Sequence, residues 1–131
     1  MKRVLFFVIH FLLFCNARAQ VSTTANTEVI NYYTVDLRPE FLGPNNNFTT
    51  FFAKNFSLPD YEGSDDILKI GFIIEIDGTV SDIKILKKTD EYIQEQVKKV
   101  INKCPKWNAG EHNEKPVRVY YEFSLKLTGS N

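Results

Sequence analysis

The chain has 131 residues, which is enough for one domain of ordinary size and too few for two. Its 16 basic and 16 acidic residues give a formal net charge of zero, and no basic stripe marks a nucleic-acid surface. We therefore expect no nucleic-acid partner. One of the two cysteines, Cys15, lies in an N-terminal segment that is expected to be removed, so no internal disulfide is predicted.

Residues 1–19 have the pattern of a secretory signal peptide. Lys2-Arg3 precede an apolar run over residues 4–15, and residues 17–19 read Ala-Arg-Ala, a small-x-small cleavage site. Because this run is shorter than the ~20 residues that cross a bilayer, we expect cleavage and a periplasmic protein. Cleavage would remove three basic and no acidic residues, leaving a net charge of −3. A retained inner-membrane anchor at residues 4–15 and a lipoprotein processed at Cys15 are the alternatives.

Two elements are predicted ahead of the main sheet. Residues 20–38, rich in Thr, Asn and Ser, are expected to form a flexible leader that adds a short strand near residues 29–35. Asn46 or Asn47 then caps a helix whose apolar residues follow the helical period, and Pro59 prevents its continuation. These apolar residues are Phe48, Phe51, Phe52 and Phe56.

A hairpin follows the first helix. Strict alternation over residues 68–76 predicts a half-buried strand. Asp77-Gly78 comes directly after it and predicts a two-residue type I′ turn. In the return strand Val80 is out of phase with the later apolar residues, which predicts a bulge near residues 81–82.

The second helix is predicted to run from Thr89 or Asp90 to Cys104, where Pro105 stops it. Its apolar stripe consists of Ile93, Val97, Val100, Ile101 and Cys104. The tripeptide Pro105, Lys106 and Trp107 comes next. We expect Pro105 to end the helix and Trp107 to pack over that end, with residues 108–116 forming a polar loop.

The last strand alternates from Val117 to Leu127, with apolar residues on one face and mixed residues on the other. A sheet with one apolar face is covered by helices on that side alone. The element order therefore predicts an α+β domain over residues 39–128, in which a three-stranded antiparallel sheet carries two helices on one face. Such a sheet has open edges, whose unpaired N–H and C=O groups can take an extended peptide.

From about residue 39 to residue 127, the chain resembles the C-terminal domain of TonB, in the form common in Bacteroidetes-type bacteria. The resemblance is carried by several short motifs in the family's order and spacing. They include Pro39-Glu40-Phe41, Asp77-Gly78-Thr79-Val80, Cys104-Pro105-Lys106-Trp107 and Lys115-Pro116-Val117. The resemblance implies a periplasmic module that takes a segment of an outer-membrane transporter, the TonB box, as an added strand in TonB-dependent transport.

The resemblance also implies where that segment would bind. It points to the edge formed by Val117, Arg118, Val119, Tyr120, Tyr121, Glu122 and Phe123, with Asp77, Gly78, Pro105, Lys106 and Trp107 as structural motif residues. Arg118 and Tyr120, on the outer face, are expected to shape specificity. In the alternative reading the chain is a stand-alone structural or assembly protein. It would use the same edge to form a homodimer or to pair with another envelope protein.

No catalytic arrangement is evident, and we do not expect an enzyme. Cys104 and His112 lie close in sequence, but Cys104 is on the apolar stripe of the second helix and is expected to be part of the core. One histidine and one cysteine are too few ligands for zinc. The acidic residues 60–66 lack EF-hand spacing and are expected to form a solvated turn. We therefore expect no metal and no cofactor.

Overall fold

The computed structural model describes residues 28–58 and 66–128. The predicted signal peptide, the helix stop at Pro59 and most of the acidic stretch before residue 66 lie outside these described residues.

Three long strands form an antiparallel sheet. They are β3 (Asp66–Ile74), β4 (Val80–Ile85) and β7 (Lys115–Leu127). β3 lies between the other two and pairs with β7 along its whole length, from Asp66↔Leu127 to Ile74↔Val119. This confirms the three antiparallel strands predicted from the alternating residues. The predicted number of strands in the sheet was too low, because two short strands also pair with β7, one of them in parallel, and the sheet has five strands.

Both predicted helices are present, α1 at Phe48–Asn55 and α2 at Glu91–Asn102. Asn47 caps α1, since its Oδ1 accepts from the N–H of Thr50 at 2.9 Å. Asp90 caps α2 in the same way, accepting from the N–H of Ile93 at 2.8 Å. α2 ends two residues before Cys104, because Lys103 donates to a carbonyl three residues back and tightens the last turn.

The two helices cover the same face of the sheet. Their apolar residues share one cluster with the alternate residues of β3 that point to that face. This cluster contains Phe41, Phe48, Phe52, Leu68, Ile70, Phe72, Ile74, Ile93, Val97, Val100, Ile101, Trp107, Phe123 and Leu127. The α+β architecture with helices on one face is therefore confirmed.

Four short strands complete the fold: β1 (Val29–Asn31), β2 (Glu40–Phe41), β5 (Trp107–Asn108) and β6 (Gly110–His112). β2 pairs with β5, and β6 forms a hairpin with β7. The prediction of a polar loop at residues 108–116 was therefore wrong. The hairpin turn is made by Asn113 and Glu114, which have φ angles of 52° and 63° and lie at the two centres of a type I′ turn.

The turn between β3 and β4 differs in type from the prediction. Gly78 donates to the carbonyl of Glu75 at 2.9 Å, and Glu75 donates to the carbonyl of Thr79 at 2.8 Å. Gly78 has a φ of 81°, whereas Asp77 does not have a positive φ. The arrangement is a type I turn followed by a glycine bulge rather than type I′. The predicted bulge in β4 is confirmed at Asp82, where φ is 48° and the register to β3 shifts.

Candidate functional site

The side of β7 that faces away from β3 is only partly open. β6 pairs with its first residues, Lys115 to Val117, and β1 pairs in parallel with the next three. The parallel register is Val29↔Arg118, Ile30↔Val119 and Asn31↔Tyr120. The short strand predicted in the leader is thus confirmed, and it occupies the first half of the edge that we had expected to be open.

The hydrogen bonds of β1 show which residues of β7 face this side. Tyr32 donates its N–H to the carbonyl of Tyr120 at 3.0 Å, so the backbone of Tyr120 points toward β1. Alternate residues of a strand point the same way, and Glu122 and Ser124 therefore direct their N–H and C=O groups to this side, beyond the end of β1. No described strand pairs with them there. We call residues 121–125 of β7 the open edge.

The leader is attached to the domain at several points. The Tyr32 ring packs edge-on against Tyr121 at 4.8 Å between centroids. Val35 is buried in one cluster with Val117 and Val119 of β7, and Tyr32 packs against this cluster. Leu37 and Glu111 exchange two backbone hydrogen bonds of 2.9 Å each. These contacts fix the end of β1 at the start of the open edge.

Arg118, one of the two residues expected to shape specificity, is bound within the domain. Its Nε and Nη2 donate to the two carboxylate oxygens of Glu75 at 2.8 and 3.0 Å. The guanidinium lowers the pKa of Glu75, partial burial opposes this shift, and the Ser81 hydroxyl, which donates to Glu75, lowers the pKa further. Arg118 therefore links β7 to the end of β3.

Tyr120, the other such residue, lies across the outer face of the sheet. A Cβ atom at position 71 would overlap its hydroxyl, so the ring covers Gly71 of the neighbouring strand. Burial raises the pKa of this hydroxyl, and the nearby carboxylate of Glu122 adds to the shift. The side chains of Tyr120 and Arg118 thus contact residues on the β3 side, and their role in specificity stays a prediction.

Two clefts border the open edge, one on each face of the sheet. The cleft on the outer face has a volume of about 290 Å³. Its lining consists of Asn31, Tyr33, Tyr120, Glu122, Phe123 and Ser124. The cleft on the helix face has a volume of about 300 Å³. Its lining consists of Ala53, Phe56, Leu58, Leu125, Lys126, Leu127 and Thr128.

The motif residues Asp77, Gly78, Pro105, Lys106 and Trp107 come together at the β3–β4 turn, and the Trp107 ring also packs against Tyr121 of the open edge, 5.6 Å between centroids. Trp107 donates its N–H to the carbonyl of Gly78 at 2.9 Å, and its own carbonyl oxygen lies where a Cβ of residue 78 would be. The Trp107 side chain is buried, 5.2 Å from Phe41 between ring centroids. The β3–β4 turn and the segment after α2 therefore form one structural unit.

Cys104 and His112 have separate surroundings. Cys104 is partly buried against the core, and burial raises the pKa of its thiol while the Trp107 indole opposes the shift. His112 Nδ1 lies 3.2 Å from Asp36 Oδ2 without the alignment of a hydrogen bond. Within residues 28–58 and 66–128, no three His, Cys, Asp or Glu side chains are grouped closely enough to hold a metal ion.

Residues 60–127, more than half of the chain, match the family model described as Gram-negative bacterial TonB protein C-terminal. No curated protein and no solved structure gives a significant match. None of the helices in the described parts of the chain is long and apolar enough to cross a membrane. The match spans β3 to β7, including α2 and the open edge. The chain therefore belongs to the TonB C-terminal domain family, whose members are protein-interaction modules of the bacterial cell envelope.

Proposed function

We propose that this protein binds an extended segment of an outer-membrane transporter as an added strand on the open edge, in TonB-dependent transport. The observation that carries the proposal is the row of strand backbone at Glu122 and Ser124, which faces outward beyond the end of β1. Such a row is a template for another strand. Family membership supports a role in envelope transport, and the Bacteroidetes-type form stays a prediction.

β1 supports the choice of this side of β7. It is a three-residue strand whose backbone already forms a parallel ladder with residues 118–120. An incoming segment would continue the same line along residues 121–125. Of the residues implied by the family resemblance, Glu122 presents its backbone in this way, whereas the N–H and C=O groups of Tyr121 and Phe123 point to β3. Binding at residues 117–120 would require β6 and β1 to leave.

The proposal can be tested by scanning a bound peptide with N-methyl groups. Ten-residue peptides from transporter N-termini would be titrated into ¹⁵N-labelled residues 20–131, first unmodified and then with one amide methylated at a time. In an added strand only every second amide faces β7. Loss of one hydrogen bond of about 1 kcal/mol weakens binding roughly five-fold. We expect affinity losses that alternate along the peptide, with chemical-shift changes at residues 121–125.

The intervening amides of the same peptide are the matched control, because their methyl groups would point away from β7. Uniform losses along the peptide, or shift changes confined to another part of the domain, would contradict strand addition. Absence of binding by every transporter peptide would also contradict it.

Ser124→Pro gives a second test from the protein side. It removes an N–H that points to the open edge, where proline is tolerated because this group has no partner strand. We expect binding to be lost while the circular dichroism spectrum is kept. Ser124→Ala, which keeps the N–H, is the control and should bind normally. Tyr120→Pro is less informative, since it would also detach β1.

Self-pairing is the second candidate, because the same backbone could accept the open edge of another copy. Light scattering on residues 20–131 over a hundred-fold range of concentration would reveal a dimer. A dimer that Ser124→Pro dissociates would favour an assembly role over a monomeric peptide receptor.

We also propose that residues 1–19 are a cleaved signal peptide and that the mature protein is periplasmic. Mass spectrometry of the exported protein should find Gln20 at the N-terminus. A retained segment 4–15 would indicate a membrane anchor, and a lipid on Cys15 would indicate a lipoprotein.

A further inference from the structure

The two faces of the open edge differ in chemistry, and this difference bears on which segment would bind there. Side chains of a strand alternate between the two faces of its sheet. An added strand would therefore place every second side chain in the helix-face cleft and the others in the outer-face cleft. The inference that follows rests on the proposed strand addition.

The helix-face cleft suits an apolar side chain. Thr49, Ala53 and Phe56 lie at i, i+4 and i+7 and so form one stripe along the flank of α1. Phe56 and Leu58 are partly buried against the core beside Leu125. The small residue Ala53 lines the cleft of about 300 Å³ between α1 and the end of β7, whereas Thr49 lies beside Tyr121.

The outer-face cleft suits a cation. Glu122 is exposed at this cleft. In the described hydrogen bonds, its carboxylate accepts from the Tyr120 hydroxyl, which lies 3.5 Å from Oε2. Two basic residues nearby have acidic partners, Arg118 with Glu75 and Lys84 with Asp82. Asn31 and Tyr33 add polar groups at the mouth of the cleft. A side chain directly across from Glu122 would lie within reach of its carboxylate.

Lys69 limits where that cation can lie. It pairs with Ser124 across the sheet and so lies on the outer face beside Ser124. A second cation placed toward Ser124 would meet this like charge. The preference for a basic side chain is therefore confined to the position beside Glu122.

We propose that the open edge selects an extended segment with the pattern apolar–basic–apolar. The lysine or arginine would lie beside Glu122 on the outer face, and the two apolar side chains would enter the helix-face side under α1. A shift of one residue would exchange the two faces for every side chain of the segment. The chemistry of the two clefts thus fixes the register as well as the sequence preference.

A charge exchange tests the basic position. Peptides that differ only in having Lys or Glu at the central position would be titrated by fluorescence anisotropy into the wild type, Glu122→Lys and Glu114→Lys. Glu114, an exposed residue of the β6–β7 turn, is the matched control. Exposed ion pairs are modest in strength, so we expect the wild type to prefer the Lys peptide by about five-fold. Glu122→Lys should reverse this preference, and Glu114→Lys should leave it unchanged.

The apolar positions are tested by filling the helix-face cleft. Ala53→Phe places a ring on the exposed flank of α1 and should weaken peptides with Leu or Val beside the central residue at least five-fold. It should affect peptides with Ala at those positions much less. Lys54→Phe, at the next exposed residue of the same helix, is the control and should not distinguish the two peptides.

The outcomes separate this pattern from the proposed function itself. In one outcome the wild type and Glu122→Lys each bind the Lys and Glu peptides equally, and Ser124→Pro still abolishes binding. This outcome would overturn the charge preference and leave strand addition standing. Binding that persists in Ser124→Pro, or no binding by any peptide, would overturn both.

Discussion

Replacing Gly78 with alanine should destabilise the domain strongly, because two constraints meet at this residue. Its φ of 81° lies in the region that costs a residue with a Cβ roughly 1–2 kcal/mol. A Cβ there would also overlap the Trp107 carbonyl oxygen and approach the Trp107 N to 3.3 Å. The hydrogen bond from Trp107 to Gly78 would be disturbed, at a cost of about 1 kcal/mol.

Together these effects amount to about 2–3 kcal/mol, a large part of the roughly 5–15 kcal/mol that stabilises a typical domain. For a domain of this size, the melting temperature should fall by roughly 10–20 °C. Circular dichroism melts and urea unfolding of residues 20–131 would measure the loss. A change of less than about 0.5 kcal/mol in Gly78→Ala would refute this reasoning.

Gly78→Asn separates the two causes. Asparagine tolerates a positive φ better than alanine but carries the same Cβ. If the overlap with Trp107 dominates, Gly78→Asn should be almost as unstable as Gly78→Ala. If backbone strain dominates, the asparagine variant should recover much of the lost stability.

Three further predictions concern other parts of the domain. Because Arg118 lowers the pKa of Glu75, the stabilisation from this carboxylate is complete above about pH 5 and is lost as the pH falls through the lowered pKa. Arg118→Met should therefore flatten the decline of the urea unfolding midpoint below pH 5. An unchanged decline would contradict this coupling between the Glu75 carboxylate and stability. Asp90→Ala should cost about 1 kcal/mol through loss of the α2 cap, measured by urea unfolding, with a neutral result arguing against the cap. The thiol of Cys104, whose pKa is raised by burial, should react with iodoacetamide more slowly in the native protein than in urea. A Cys104→Ala, His112→Ala double variant should keep peptide binding, and loss of binding would contradict the separation of these two residues from the open edge.

The main elements could be predicted because each is encoded locally. Period-two alternation marks β3 and β7, and the helical period marks α1 and α2, with Asn47 and Asp90 at their starts. Strands of two or three residues have no measurable period, so β2, β5 and β6 could not be found in this way. The turn at Asn113 and Glu114 contains no glycine, which removed the usual signal for a type I′ turn.

The candidate site could be predicted only in part. The alternation of β7 assigned Arg118, Tyr120 and Glu122 to the outer face correctly. It could not reveal that Arg118 binds Glu75 or that Tyr120 covers Gly71. Gly71 lies on β3 and Glu75 directly follows that strand, each more than forty residues away in sequence. The strand in the leader was also recognised. Its position on β7 depends on tertiary packing of Val35 against Val117 and Val119.

The central place of β7 has a consequence for the order in which the domain folds. β7 is the last strand of the fold, yet it is the partner of β1, β3 and β6. β1 lies about ninety residues before its partner in sequence, a separation that makes pairing slow because a long loop must close first. Since synthesis proceeds from the N-terminus, β1 and one side of β3 stay unpaired until nearly the whole chain has emerged. Folding of the sheet is therefore delayed until the chain is almost complete.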